Sequence, residues 1–511
     1  MSPSNIPSNP PLHGLADKPA NNPLNKPPAP IHTTAKPNIN KPAKGDGKNN
    51  KKYATIWRWH FYAGMFIAPF LLILSLSALG MLFMANTVGP NNELLTVSKQ
   101  DTITPVSVQA HSALSAVPDG TLKQYIAPKS DHNVALFRVG SETGQTMVAV
   151  DPYSAKVIKI APSDSNLYHT FDNIHSDLLI GKFGDYLLET AASLTTLLVL
   201  TGWYLWWYRR KSIKAMLIPD AKLNNKRSTF VTIHATLGTW LSVLLLLFCV
   251  SGMAWAGIWG GKVVQAWSQF PAGKWGNGPM PASTLPPTHG EALNSSGIKE
   301  VPWILELTPM PTSGSTLGEK GIDPSLPITL DTVDRFARDS GFEGRYQLNL
   351  PQGETGVWTL SQDSMSYDMP SPMADRTMHI DRYSGKVLAD IRFEDYNAFG
   401  KFMAAGNAIH MGTLGLWSLM ANVLFCLSVI TICISGYVMW WQRRPSKLNT
   451  AATQKSGLNP PPSKGDIPWG LAIILLIVSV IFPTAIIAIV AIAVLDFVII
   501  GRVPVLKRLL K

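Results

Sequence analysis

Long apolar stretches are the feature that most restricts the fold of this 511-residue chain. Four of them hold about 20 or more mostly apolar residues, the length an α-helix needs to cross roughly 30 Å of bilayer hydrocarbon. Inside hydrocarbon every backbone polar group must be paired within its own segment, so a stretch of this kind crosses as a helix. The sequence therefore predicts a polytopic α-helical membrane protein.

A histidine precedes or opens each of these four stretches. The four are His60, His175, His234 and His410. An ionisable side chain at a membrane span is costly to bury, and such residues commonly carry function. Four histidines in matching places require one common explanation.

Basic residues cluster beside the span ends, which is the pattern that sets the orientation of membrane proteins. Trp206-Trp207 is followed by Arg209-Arg210, and Trp440-Trp441 by Arg443-Arg444. These ends and the N-terminus are therefore predicted to be cytoplasmic. The net charge of +11 is explained by this distribution, and no basic patch interleaved with aromatic residues indicates a nucleic-acid partner.

These signals divide the chain into spans and connecting regions. Residues 1–52, rich in Pro, Asn and Lys, are predicted to be a disordered cytoplasmic tail without the apolar core of a signal peptide. The remaining boundaries are spans at 53–85, 184–210, 233–259 and 410–444, outer regions at 86–183 and 260–409, and cytoplasmic loops at 211–232 and 445–467. An apolar stretch at 468–500, interrupted at Pro483, is predicted to be a fifth span that is kinked or re-entrant.

The chain contains an internal repeat. Residues 151–158 line up with 381–388, and each segment is followed by a histidine, a span and a Trp-Trp-x-Arg-Arg sequence. Each copy consists of a span out, an outer α+β module with strand and helix patterns, and a span back, so the copies are parallel. A four-helix core built from two parallel repeats places His60 with His234 near the cytoplasmic face, and His175 with His410 near the outer face.

Two opposed histidines in an apolar bundle suit a bis-histidine b-type haem, whose iron takes an imidazole on each face. Two such haems would form an electron path across the bilayer. Small residues near the histidines would leave room for a flat ring; they are Ala63, Gly64, Ala235, Gly238, Gly412 and Gly415. No CxxCH sequence is present, which excludes covalent c-type attachment.

Other interpretations of these residues remain open. The histidines could be interfacial or hydrogen-bonded. A zinc site is less favoured, because two histidine ligands at each level of the bundle are too few. A proton relay has Glu189 as its main candidate. Met365, Met369, Met373 and Met378 could bind Cu(I) through their thioethers or could flank a partly apolar loop. The three cysteines, which all lie inside spans, are predicted to be small buried hydrophobes.

The opening Trp57-Arg58-Trp59-His60, the two Asp-x-Tyr-Ser-x-Lys-Val turns and the His…Trp-Trp-x-Arg-Arg units resemble the PepSY-associated transmembrane-helix family. The resemblance covers roughly residues 53–500, and Ala155 stands where the second copy has Gly385. It implies a bacterial inner-membrane protein with α+β PepSY-like periplasmic modules. By motif position it implies haem b ligation by His60, His234, His175 and His410.

Some members of this family are di-haem ferric-siderophore reductases, so the resemblance implies reduction of a periplasmic ferric siderophore and release of Fe(II) for iron uptake. No nucleotide-binding fingerprint stands out, so a cytoplasmic or quinone-linked donor is expected to supply electrons. Two alternatives remain. One is a non-enzymatic PepSY membrane module that regulates a protease or binds a solute, and the other is a transporter of an iron chelate or copper.

Overall fold

The computed structural model describes residues 47–219, 226–263, 287–294, 300–314, 318–443 and 469–494. The predicted loop at 445–467 and most of the predicted tail at 1–52 lie outside these residues. Helix α1 runs from Gly47 to Thr87, so the last six residues of the predicted tail are helical.

Four helices of the described residues are long and apolar enough to cross a membrane, which confirms the four predicted spans. They are α1 (its span Lys52–Thr87), α4 (Lys182–Arg210), α6 (Lys226–Met253) and α10 (Leu416–Trp441). Helices α1 and α6 each pack against both α4 and α10. The spans therefore form a four-helix bundle in which α1 and α6 lie diagonally.

The apolar stretch near the C-terminus is broken at Pro483. It forms α11 (Trp469–Ile481) and α12 (Thr484–Ala493). Proline disfavours helical geometry at the residue before it and cannot donate a helix hydrogen bond. Neither helix alone reaches the length of a span, so the predicted fifth span is two short helices among the described residues.

Both outer regions contribute to one eight-stranded antiparallel sheet, in the order β4-β3-β2-β1-β5-β6-β7-β8. The first half comprises β1 (Thr121–Ile126), β2 (Ala135–Ser141), β3 (Gly144–Val150) and β4 (Val157–Pro162). The second half comprises β5 (Gln347–Asn349), β6 (Trp358–Gln362), β7 (Arg376–Ile380) and β8 (Val387–Arg392).

The two predicted outer modules therefore share one sheet. The halves join where β1 pairs with β5, with Tyr125 opposite Leu348. Either half alone would leave the outward-facing backbone groups of its edge strand, β1 or β5, unpaired, and joining the two edges satisfies them. The repeat itself is present in the fold, because a helix precedes the first strand of each half: α2 (Val106–Ser115) and α8 (Leu330–Asp339).

The two faces of the sheet differ in chemistry. One face packs its apolar side chains, such as Phe137 and Leu360, against α2 and α8. The other face buries polar side chains along its middle strands; they include Gln124, Arg138, Gln347, Thr359 and His379. Successive residues of a strand point to opposite faces, so these polar side chains all lie on the same face of the sheet.

Buried ion pairs hold this polar surface in place. Arg138 pairs with Glu300 at 2.5 Å, and Arg345 pairs with Asp368 and lies 3.8 Å from Glu93. A buried charge without a partner is costly. Arg138 therefore depends on Glu300, and Arg345 depends on its carboxylate neighbours. Trp303, close to Glu300 in the chain, donates a hydrogen bond to the carbonyl of Ala254, just past the end of α6. The sheet therefore lies at the end of the bundle where α6 ends, which we call the sheet end.

The repeated Asp-x-Tyr-Ser-x-Lys segments form the same turn in both halves. The carboxylate of Asp151 accepts a hydrogen bond from the Tyr153 amide at 2.9 Å, and that of Asp381 accepts one from the Tyr383 amide at 2.8 Å. The fifth residue has a positive φ in both turns, 53° at Ala155 and 67° at Gly385. Glycine adopts this conformation without strain and alanine does not.

We expect Ala155→Gly to stabilise the protein by about 1 kcal/mol, because it relieves left-handed strain at a residue with a Cβ. The matched change Gly385→Ala should destabilise it by about 1–2 kcal/mol, and its new Cβ would also meet Ile322 at 3.0 Å. Thermal unfolding of the purified protein in detergent measures both. A lower melting temperature for Ala155→Gly would contradict this account of the turn.

Candidate functional site

The four predicted histidines meet as two pairs. The ring centres of His60 and His234 are 6.4 Å apart, and those of His175 and His410 are 6.2 Å apart. The ring planes are 84° apart in both pairs. Each pair joins one histidine from each repeat.

Only His60 and His234 lie on long spans, in α1 and α6. His175 lies in α3 (Leu167–Asp177) and His410 in α9 (Ala398–Met411), short helices that precede α4 and α10. The predicted span 410–444 therefore begins too early. Helix α9 is followed by Gly412, which has a φ of 72°, and the next span starts only after Gly415, with a φ of 93°. These two glycines thus make a turn between helices, a different role from the predicted one of leaving room for a ring.

The Nδ1 atom of every one of these histidines is held by a neighbouring helix. Each lies 2.9–3.1 Å from a Ser or Thr hydroxyl: Thr201 for His60, Ser77 for His175, Ser435 for His234 and Ser251 for His410. Two of the rings also lie within 3.1 Å of a backbone carbonyl three residues before that hydroxyl, Leu74 for His175 and Ile432 for His234. With Nδ1 engaged in this way, Nε2 is the nitrogen left to bind another group.

A small residue follows each of these hydroxyls. The four dipeptides are Ser77-Ala78, Thr201-Gly202, Ser251-Gly252 and Ser435-Gly436. A Cβ added at Gly202, Gly252 or Gly436 would lie 3.2–3.5 Å from Cε1 of the histidine that its neighbour holds. The imidazole therefore packs directly on the backbone of the partner helix.

The histidine positions alone do not predict this arrangement, but the sequence carries a signal for it. Ser or Thr followed by Gly or Ala occurs in each of the four spans, and the four dipeptides that hold histidines lie at equivalent places in the two repeats. Seventeen residues separate His60 from Ser77 in α1, and the same number separates His234 from Ser251 in α6. At about 1.5 Å per residue, the two histidine pairs lie roughly 25 Å apart along the bundle.

The spacing within each pair suits two ligands on opposite sides of one metal ion. A ligating imidazole nitrogen lies about 2 Å from its metal and about 1.2 Å from the centre of its own ring, so two opposed rings have centres roughly 6.4 Å apart. The described residues contain no group of three His, Cys, Asp or Glu side chains placed to hold a metal. A haem needs only two ligands from the protein, because the macrocycle supplies the others; the residues present therefore fit haem better than a bare ion.

Aromatic side chains contact His410 of the pair at the sheet end. The ring of Phe248 stacks on His410 with centres 4.7 Å apart, and Trp255 presents its edge at 6.2 Å. Phe248 also stacks on Phe425 of α10. Together with the hydrogen bond at Nδ1, these contacts fix the orientation of the His410 ring.

The other candidate residues have different environments. Glu189 accepts hydrogen bonds from the backbone amides of Ile258 and Trp259, so it anchors the segment after α6. Met365 packs among residues of the bundle, Met373 is 70% exposed and Met378 lies in the core between the sheet and its helices. Met365, Met373 and Met378 thus lie in three different environments, which favours the alternative of a partly apolar loop over Cu(I) binding. The three cysteines are free and buried, as predicted.

We expect Gly252→Val to displace the His410 ring, and so to abolish binding of the haem that the sequence predicts at the His175–His410 pair, while the His60–His234 pair remains intact. The new side chain would enter space that the His410 ring occupies, since even a Cβ would lie 3.2 Å from it. Gly470→Val is the matched control, because a Cβ there meets no atom within 4 Å. Haem content and the reduced α-band of the purified variants measure the effect. Two haems in Gly252→Val would contradict the assignment.

Comparison with known proteins supports the relationship that the sequence motifs indicate. No curated protein matches the chain. The family model described as the PepSY-associated TM region matches residues 57–443, which include all four bundle histidines and all eight strands. This chain therefore belongs to the PepSY-associated transmembrane-region family.

Proposed function

We propose that this protein is a haem b protein of the bacterial inner membrane that moves electrons across the bilayer and reduces a ferric siderophore in the periplasm, releasing Fe(II). The observation that carries the proposal is the presence of two histidine pairs, with ring centres 6.4 and 6.2 Å apart, at two levels of one membrane bundle.

The protein's part in this function is to fix four imidazoles. A hydrogen bond to Nδ1 sets the tautomer and the orientation of a ligating histidine and raises its basicity. Thr201, Ser77, Ser435 and Ser251 supply these contacts here. A haem iron held between each pair would supply reversible one-electron chemistry, with a potential that the ligands and their hydrogen bonds adjust.

The positions of the pairs suit transfer across a membrane. Their separation of roughly 25 Å along the bundle covers most of the roughly 30 Å of hydrocarbon. The His60–His234 pair lies toward the end that carries Trp206, Arg209 and Arg210, which the positive-inside rule assigns to the cytoplasm. A cytoplasmic or quinone-linked donor would approach this end.

The second pair suits reduction of an outer substrate. Helices α3 and α9 carry His175 and His410 directly from the strands of the two half-sheets into the bundle, so this pair lies at the sheet end. The sheet would face the periplasm in the proposed orientation. Siderophore oxygens are hard ligands that hold Fe(III) more strongly than Fe(II), so reduction of the chelate releases the metal.

Each of the changes His60→Ala, His234→Ala, His175→Ala and His410→Ala should remove one of two haems and abolish ferric-siderophore reduction. The reason is that each haem loses one of its two protein ligands while the other pair stays intact. Haem content of the purified variants and Fe(II) released by reduced proteoliposomes, trapped with a ferrous chelator, measure the two effects.

His132→Ala is the control, since this side chain is exposed and far from the bundle histidines in the chain. It should retain both haems and full Fe(II) release. A haem-free wild-type protein from haem-replete cells would contradict the proposal. Two haems without Fe(II) release would retain the cofactor assignment and reject the substrate, and would favour a non-enzymatic or transport role.

A further inference from the structure

A buried amide lies one helical turn before His410 on α9. Asn407 is 0% exposed. Its side-chain nitrogen lies 3.9 Å from the thioether sulfur of Met365, and its side-chain oxygen has no hydrogen-bond partner among the described residues. A thioether accepts hydrogen bonds only weakly, so this amide is nearly unsatisfied. Such a group is costly to bury, because folding removes it from water without giving it a comparable partner.

A hydrophobic side chain would fill this place at lower cost. Met365 and Met403, the latter one turn earlier on α9, both belong to the hydrophobic core of the bundle. Leucine has nearly the same shape as asparagine and no polar atom to satisfy, so packing alone does not account for an amide here. The unsatisfied oxygen therefore points to a partner that the described residues do not provide.

The position of the amide on α9 places it beside the histidine pair. Gly406 faces α6, because a Cβ there would lie 3.6 Å from Ser251. Asn407 is about 100° further around the helix, and about 60° from His410. Ser251 holds Nδ1 of His410 on the α6 side. Asn407 therefore lies on the side of His410 away from that hydrogen bond.

A haem between His175 and His410 would bring a polar group to this amide. Its plane would lie across the line that joins the two imidazoles, and one edge of the ring would extend toward the sheet. Asn407 precedes His410 by three residues, about 4.5 Å along α9 in that direction. The polar groups at the edge of a b-type haem are its two propionates, which form hydrogen bonds with an amide.

We propose that Asn407 binds a propionate of the haem at the His175–His410 pair. Its nitrogen can donate to a carboxylate and its oxygen can accept from a carboxylic acid, and rotation of the amide exchanges the two. Two axial imidazoles leave a haem free to turn about the axis through them, and a propionate contact fixes that angle. This inference rests on the proposed function, since it requires haem at this pair.

The test places Asn407→Leu in two full-length backgrounds that each carry one haem. His60→Ala is expected to keep the haem at the sheet end, and His175→Ala the other haem. In the His60→Ala background, Asn407→Leu should speed the transfer of haem to excess apomyoglobin by about 10-fold, the effect of one hydrogen bond to a charged group. In the His175→Ala background it should leave the rate unchanged.

Two further measurements separate propionate binding from a structural role. The haem-free Asn407→Leu protein should melt at the same temperature as the haem-free wild type or higher, because the change removes an unsatisfied buried amide. Reconstitution with an iron porphyrin that lacks propionates should make the transfer rates with and without Asn407→Leu equal. Asn173→Leu is the matched control, because this side chain is exposed on α3 two residues before His175, and it should leave every rate unchanged.

Equal transfer rates with and without Asn407→Leu in the His60→Ala background would overturn this inference and leave the proposed function standing. A rate difference that persists without propionates would also overturn it, as would a lower melting temperature of the haem-free Asn407→Leu protein. A wild-type protein without haem would contradict both the inference and the proposed function. Should Asn407→Leu fail to fold, Asn407→Ser, whose hydroxyl is too short to replace the amide, decides the outcome by the same measurements.

Discussion

Hydrogen bonds from histidine Nδ1 to a neighbouring helix are the interactions on which the bundle site depends. Each of the four hydroxyls comes from the same repeat as the histidine it holds: α4 holds His60 of α1, and α10 holds His234 of α6. Each ring then faces a histidine of the other repeat. One repeat can thus orient its own two imidazoles, but a site with two ligands exists only where both repeats meet.

The sheet also depends on contacts between the two repeats. Strand β1 of the first half completes its hydrogen bonds with β5 of the second. The buried pairs Arg138–Glu300 and Arg345–Glu93 join one half to the other, as do the hydrogen bonds from Ser107 to Asp331. Because a buried charge without its partner is strongly destabilising, these contacts favour one alignment of the halves. The His175–His410 pair at the sheet end is therefore positioned by contacts in the sheet as well as in the bundle.

Patterns that are local in sequence predicted much of this fold. The length of the apolar stretches predicted the spans. The alignment of residues 151–158 with 381–388 predicted the repeat and hence the two pairs of histidines. Contacts between distant segments could not be predicted in this way. The pairing of β1 with β5 depends on two free edges meeting, and the separation of α9 from α10 depends on positive φ angles at Gly412 and Gly415. The contact of His289 with His379 joins residues 90 positions apart.

The ring geometry of the bundle pairs gives the most direct test of the central claim. When two axial imidazole planes are perpendicular, neither of the two iron π orbitals is favoured, and the low-spin ferric EPR signal becomes strongly anisotropic. The planes here are 84° apart in both pairs. Low-temperature EPR of the oxidised wild-type protein should therefore show two haems per chain, both with strongly anisotropic low-spin signals. A haem-free protein, a high-spin signal or the rhombic signal of parallel imidazoles would contradict the account.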